Sequence, residues 1–300
     1  MRLKALSIIV VAAVAGCSAR QPRAAFEVER DVTYARRDDG DLRADIYRPV
    51  DDRPHPGVLL VHPGSWRHGS KRFMKSIGER LAEHGYVAVA INYRLTQGHR
   101  FPAQLYDCKE AVRWMRRNSD KLRIEPDRIG GFGYSAGGHL VALLATTDAD
   151  DGLEGIASAS DPPTRIEAAV AGAAPIDLRR FPYNPYFYFL LGGSPTELPL
   201  VYDEASPVTF VTADDPPMFF YHGRDDWWVD VTQSELMASS LQHVGVPAEL
   251  YETTGGHLMT FIADDESVRL AVAFLDRWLK DDNRLPALAK QRTGMIEEIE

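Results

Sequence analysis

Cysteine is nearly absent, with only Cys17 and Cys108 in 300 residues. That excludes a disulfide-stapled scaffold and a cysteine-ligated zinc centre. Cys108 falls inside a helical pattern and reads as a small buried apolar residue. Positive charge is also short: 34 Lys and Arg stand against 43 Asp and Glu, a formal net charge of −9. No basic tract offsets it, which argues against nucleic acid or anionic lipid as an electrostatic partner. The N-terminal apolar run, Ala5 to Ala15, is too short to span a bilayer. The nine histidines are scattered, with no HExxH or paired-ligand spacing, so no metal is needed and no cofactor is expected. No internal repeat is present. What the chain has in quantity is apolar content, 45% of its residues, enough to bury the core of one α/β domain.

Arg2 and Lys4 ahead of the apolar run give the pattern of a secretory signal. It ends Val14-Ala15-Gly16-Cys17, which resembles the lipobox of bacterial lipoproteins. The resemblance implies a signal peptide over 1–16, cleavage before Cys17, acylation of that cysteine, and a tether over 17–25. Several acyl chains, at about 0.8 kcal/mol per buried CH₂, would hold the protein to a membrane of the cell envelope. Ser18 rather than aspartate after the cysteine favours the outer membrane. An ordinary secretory signal with a chance cysteine is the alternative.

Phe26 to Tyr34 and Leu42 to Tyr47 flank an Asp39-Gly40 turn signal and read as an antiparallel hairpin. Strands then alternate with helices. Strands are expected at Gly57 to His62, Tyr86 to Asn92, from Asp127 onward, Ile166 to Ala173, Pro217 to Tyr221 and Ala248 to Glu252. Helices are expected at Lys71 to His84, Pro102 to Asn118, Leu140 to Ala145, Val231 to Val244 and Ser267 to Leu279. This alternation predicts an α/β fold: a mostly parallel central sheet, helices on both faces and an antiparallel N-terminal hairpin, over 26–280. Ligands of such sheets bind beyond the carboxyl ends of the strands. Asp148 to Pro163 reads as a solvent-facing polar loop. The aromatic, proline-rich stretch 181–207 reads as neither a regular strand nor a clean helix. It is either a lid or pocket wall, or a cover over the sheet. The charged stretch 281–300 reads as a peripheral tail.

One stretch organises the chemistry. Gly133-Tyr134-Ser135-Ala136-Gly137 lies between an apolar strand and an apolar helix, so Ser135 sits on a sharp turn whose flanking glycines allow close backbone approach. The turn puts the serine oxygen at a helix N-terminus, with the N–H of Ala136 facing any negative charge that develops there. A serine nucleophile needs a base, and the base needs an orienting acid. His257 follows Gly255-Gly256 at a strand end, where the glycines leave the loop free to swing the imidazole. Asp225 and Asp226 follow the strand before it. Ser, Asp, His is the chain order of α/β-hydrolases.

From residue 57 to about 279 the chain resembles an α/β-hydrolase of the esterase/lipase group, similar to bacterial BD-FAE-like and kynurenine-formamidase-like esterases. Phe101-Pro102-Ala103-Gln104, Asp127-Arg128-Ile129 and Leu190-Leu191-Gly192-Gly193 match that group as well. Its His-Gly-x-x-Asp-x-x-Val pattern, with His222, Gly223 and Val229 fixing the register, puts the acid on Asp226, with Asp225 as fallback. His62-Pro63-Gly64-Ser65-Trp66 resembles the group's His-Gly-Gly-x-Trp motif. That implies an oxyanion hole from the N–H groups of Gly64 and Ser65, joined by Ala136. Pro63 departs from the motif: it lacks an N–H and fixes φ, so it can stiffen the loop or alter its path. His62 and His222 read as supports beside the site. Trp66 and Trp227 wall the pocket or pack under loops, and Tyr134 and Tyr186 are further pocket candidates.

The resemblance implies a serine carboxylesterase working through an acyl-enzyme on small acyl or polysaccharide-linked esters. Two alternatives stay open: an amidase or peptidase using the same three residues, and a non-catalytic hydrolase fold used for binding.

Overall fold

The computed structural model of the chain describes residues 24–158, 160–181 and 184–280. The expected signal peptide, Cys17, most of the tether, Tyr183 and the tail 281–300 lie outside the described residues. Among those described, eight strands form one sheet. They are β1 (Phe26–Ala35), β2 (Leu42–Pro49), β3 (His55–Val61), β4 (Val87–Ile91), β5 (Ile124–Tyr134), β6 (Ala168–Gly172), β7 (Met218–Gly223) and β8 (Ala248–Thr253). Their order across the sheet is β1-β2-β4-β3-β5-β6-β7-β8. β1 with β2 and β2 with β4 are antiparallel; every later pair is parallel. This is the α/β-hydrolase fold that the sequence implies.

The buried strands are runs of Val, Leu, Ile and Ala because helices cover both of their faces. The helices are α1 (Lys75–Glu83), α2 (Ala103–Arg117), α3 (Ser119–Leu122), α4 (Ala136–Thr146), α5 (Pro185–Leu191), α6 (Pro199–Glu204), α7 (Thr232–His243), α8 (His257–Ala263) and α9 (Asp265–Leu275). Residues of α2, α4 and α7 pack on one face and those of α1 and α9 on the other, giving two apolar layers. Each fully buried Leu, Ile or Val contributes about 1.5–3 kcal/mol, so these layers carry most of the stabilisation. The described chain enters at the amino ends of the parallel strands, where the Ala24 N–H donates to Glu83 O at the end of α1.

Several local expectations are corrected. The first helix opens with a 3₁₀ turn, Lys71–Met74, before α1. β5 starts at Ile124, three residues earlier than expected. Its pairing with β3 slips between Pro56 and Gly57, so residues 126–128 bulge out of the ladder. The helix after Ser135 begins at Ala136, ahead of Leu140. Stretch 181–207 does form helices, α5 and α6, each with proline in its first turn, where the missing N–H costs nothing. The acidic loop is only partly solvent-facing. Its Glu154 turns inward to take Lys109 and Arg113, both buried side chains of α2.

Candidate active site

Ser135 stands at the carboxyl end of β5, the residue before α4, with φ 53° and ψ −120°. This conformation is sparsely populated for a residue with a side chain. Its neighbours enforce it. A Cβ on Gly133 would meet Gly137 O at 2.2 Å, and one on Gly137 would meet Val61 O at 2.0 Å. The turn is therefore closed to any residue but glycine at both positions. The Ser135 N–H donates to Gly172 O on the neighbouring strand at 2.7 Å, which locks the turn to the sheet.

β7 and β8 bring the other two residues to the same edge. His257 Nε2 lies 2.8 Å from Ser135 Oγ, and its Nδ1 lies 2.5 Å from Asp226 Oδ2. The imidazole is not on a free-swinging loop: His257 is the first residue of α8, with Gly256 as its N-cap. Tyr134 holds it from below, its hydroxyl donating to His257 O at 2.6 Å. Asp226 is buried and its other oxygen accepts the N–H groups of Trp228 and Val229, each at 3.0 Å. Burial alone would raise its pKa. Hydrogen bonds from His222, His257 and the Val229 N–H outweigh that and hold the carboxyl well below the usual range. Asp225 is exposed, so geometry selects Asp226.

His62 and His222 flank the site. His62 stacks on Tyr93 at 4.2 Å and bonds Pro63 O through Nδ1 at 2.8 Å. Burial lowers its pKa to about 4. His222 spans Ser234 Oγ and Val229 O and lies 3.4 Å from Asp226. The loop between them in space turns through Gly64 (φ 126°), Ser65 (φ 52°) and Trp66 (φ 57°). It closes on itself where the N–H groups of Arg67 and His68 donate to Gly64 O. Ser65 reaches the cavity beside Ser135. Ala136 opens α4, so its N–H has no acceptor within the helix.

The cavity, about 470 Å³, is bounded by Ser135 and His257 on one side. Tyr186, Trp66 and Trp227 line it as expected. Trp66 also packs under the loops, only 2% exposed, whereas Trp227 stands 82% exposed at the mouth. Tyr134 does not line it. As the last residue of β5 it points to the opposite sheet face, against Tyr221 and Phe261. The sequence reading missed Trp228, whose ring lies 5.3 Å from His257, and Asn184, Pro185 and Phe187 from the aromatic stretch. Residues 184–187 of that stretch thus form part of the cavity wall. Among the described residues no group of three or more His, Cys, Asp or Glu is placed to hold a metal ion.

The BD-FAE family matches residues 44–241. A probable carboxylic ester hydrolase, LipM of Mycobacterium tuberculosis, is 33% identical over 204 residues, covering 65% of this chain and 47% of LipM. The chain spans about half the length of the mycobacterial relatives it matches. Among solved structures, a bifunctional GH43-CE protein of Bacteroides eggerthii superposes with TM-score 0.77 at 28% identity. The match covers 84% of this chain and 35% of that one. The Est2 esterase of Thermogutta terrifontis, solved with butyrate, superposes with TM-score 0.71 at 26% identity, covering 84% and 93% of the two chains. Est2 has also been solved phosphonylated by sarin.

Proposed function

This chain belongs to the BD-FAE family, and on that footing we propose that it is a serine carboxylesterase working through an acyl-enzyme. The observation that carries the proposal is the unbroken line Asp226, His257, Ser135, with contacts of 2.5 and 2.8 Å, opening on the cavity. Ser135 Oγ attacks the ester carbonyl carbon while His257 Nε2 accepts its proton. Asp226, held ionised, keeps the Nδ1 proton in place and stabilises the imidazolium. Negative charge on the former carbonyl oxygen is met by the N–H groups of Gly64, Ser65 and Ala136. His257 then protonates the leaving alcohol. Water, deprotonated by the same nitrogen, cleaves the acyl-enzyme. The apolar wall and limited cavity favour short acyl groups, in keeping with the butyrate bound in the Est2 relative.

The test is hydrolysis of p-nitrophenyl butyrate. Ser135→Ala is expected to lower kcat by on the order of 10⁶ without change in the circular dichroism spectrum. Paraoxon should add one phosphoryl group to the wild type, mapped to Ser135 by mass spectrometry, and none to the variant. Turnover by Ser135→Ala well above background would end the serine mechanism.

We also propose export and acylation at Cys17, supported by Arg2, Lys4 and the Val14-Ala15-Gly16-Cys17 sequence. Expressed in a Gram-negative host with labelled palmitate, the full chain should take up label and sediment with membranes. Cys17→Ser should do neither, and equal labelling of both would remove the proposal.

A further inference from the structure

His139 is the most costly residue in the helix that carries the nucleophile. It is fully buried among apolar side chains of α4, one turn after Ser135, whose carbonyl accepts its backbone N–H at 2.9 Å. An apolar residue would fill that space without the loss of hydration that a buried imidazole suffers. Both ring nitrogens are matched instead. Trp66 Nε1–H donates to His139 Nδ1 at 3.2 Å, and His139 Nε2 lies 2.7 Å from Ala205 O, just past the end of α6. The indole has only a donor to offer, so Nδ1 must be the acceptor and the proton must sit on Nε2. Burial reinforces this single neutral tautomer, drawing the pKa to about 4.

Of the two partners, only Trp66 lines the pocket. Trp66 follows Ser65 in the left-handed turn of the 62–69 loop, and its ring also lies 5.5 Å from Phe187 of α5. Ala205 ends the second helix of the aromatic insertion. Resting on the serine hydrolase reading above, we propose that His139 is a positioning residue: it fixes the Ser65 N–H relative to Ser135 through Trp66, while its other nitrogen holds the imidazole in place against the Ala205 carbonyl. The two nitrogens differ in consequence. Nδ1 serves the oxyanion loop and therefore kcat; Nε2 anchors the ring to the end of α6, away from the cavity.

Two substitutions separate the tasks. Asn places an acceptor near the Nδ1 position and Gln places a donor near the Nε2 position. His139→Gln and Trp66→Phe are each expected to lower kcat for p-nitrophenyl butyrate about ten- to hundredfold, with KM changed less than about threefold, as for a displaced oxyanion donor. His139→Asn, which keeps the acceptor for the Trp66 indole, is expected to lose less kcat than His139→Gln. The double variant Trp66→Phe, His139→Gln should be no slower than either single one, because both break the same link. Trp66→Phe removes the indole N–H together with part of the ring and leaves the buried imidazole in place, so it reports even if the His139 variants fold poorly, and the double variant separates the lost link from the lost ring volume. Wild-type kcat in Trp66→Phe, or single effects that multiply in the double variant, would overturn the proposal. Ser135→Ala in the same assay keeps the two readings apart. If it stays active, the nucleophile assignment fails; if it is dead while Trp66→Phe is unimpaired, only the positioning role fails.

Discussion

At the scale of residues, the carboxylate is the sharpest test. Asp226 accepts two backbone N–H groups and the imidazole while Asp225 faces solvent. Asp226→Asn should therefore lower kcat about 10⁴-fold by removing the acceptor that holds the tautomer, and Asp225→Asn less than about threefold. Steady-state kinetics on p-nitrophenyl butyrate checks this, and the reverse order would move the acid to Asp225. The Ser135, Asp226 and His257 positions were legible in the sequence because a strained turn leaves a glycine signature and the other two follow strand ends. The pocket was not. Tyr134 adjoins Ser135 in sequence, but the alternation of a strand sends it to the other face of the sheet. Trp228 lies two residues after Asp226, and only the path of a turn decides that its ring comes beside His257.

At the scale of elements, short helices are what sequence periodicity fails to see. α5 and α6 have seven and six residues, under two full turns, too few for a repeat of 3.6 to declare itself. α8 was hidden for another reason. It follows a glycine pair, its apolar Leu258, Met259 and Ile262 face outward, and its inward stripe is His257, Thr260 and Phe261, only one of them apolar. The 148–163 loop shows the same limit, since nothing in its acidic composition marks Glu154 as the residue that turns in. Burial lowers the Lys109 pKa, yet Glu154 lies on both its ammonium and the Arg113 guanidinium. Glu154→Ala would leave the buried Lys109 without its carboxylate and Arg113 with only the longer contact to Glu110 at 3.9 Å. A loss of about 3–5 kcal/mol is expected in urea denaturation, and a loss under 1 kcal/mol would show that the loop carries no such load.

At the scale of the whole molecule, buried titratable groups set a pH dependence with opposing parts. His62 and His139 are held near pKa 4 by burial, against about 6.5 unfolded. Between those values the unfolded chain binds protons that the folded one does not, so their contribution is present above pH 6.5 and lost as pH falls toward 4. Asp215 has the other sign. Burial raises its carboxyl to about 7 despite hydrogen bonds from Thr212, so its contribution is lost as pH rises from about 4 to 7. Removing it with Asp215→Asn should steepen the rise in stability between pH 4.5 and 6.5, by up to about 1.4 kcal/mol per pH unit. Urea midpoints at three pH values measure it, and parallel curves for variant and wild type would mean that Asp215 is already ionised in the fold.

The described chain is fastened at Glu83, beneath the sheet, while the cleft opens above it at the carboxyl ends of the strands. A resin, an acyl chain or a fusion partner joined upstream of residue 24 would grip the domain by its base. Immobilised there, the domain would keep its cleft facing away from the support, even for molecules too bulky to diffuse around it.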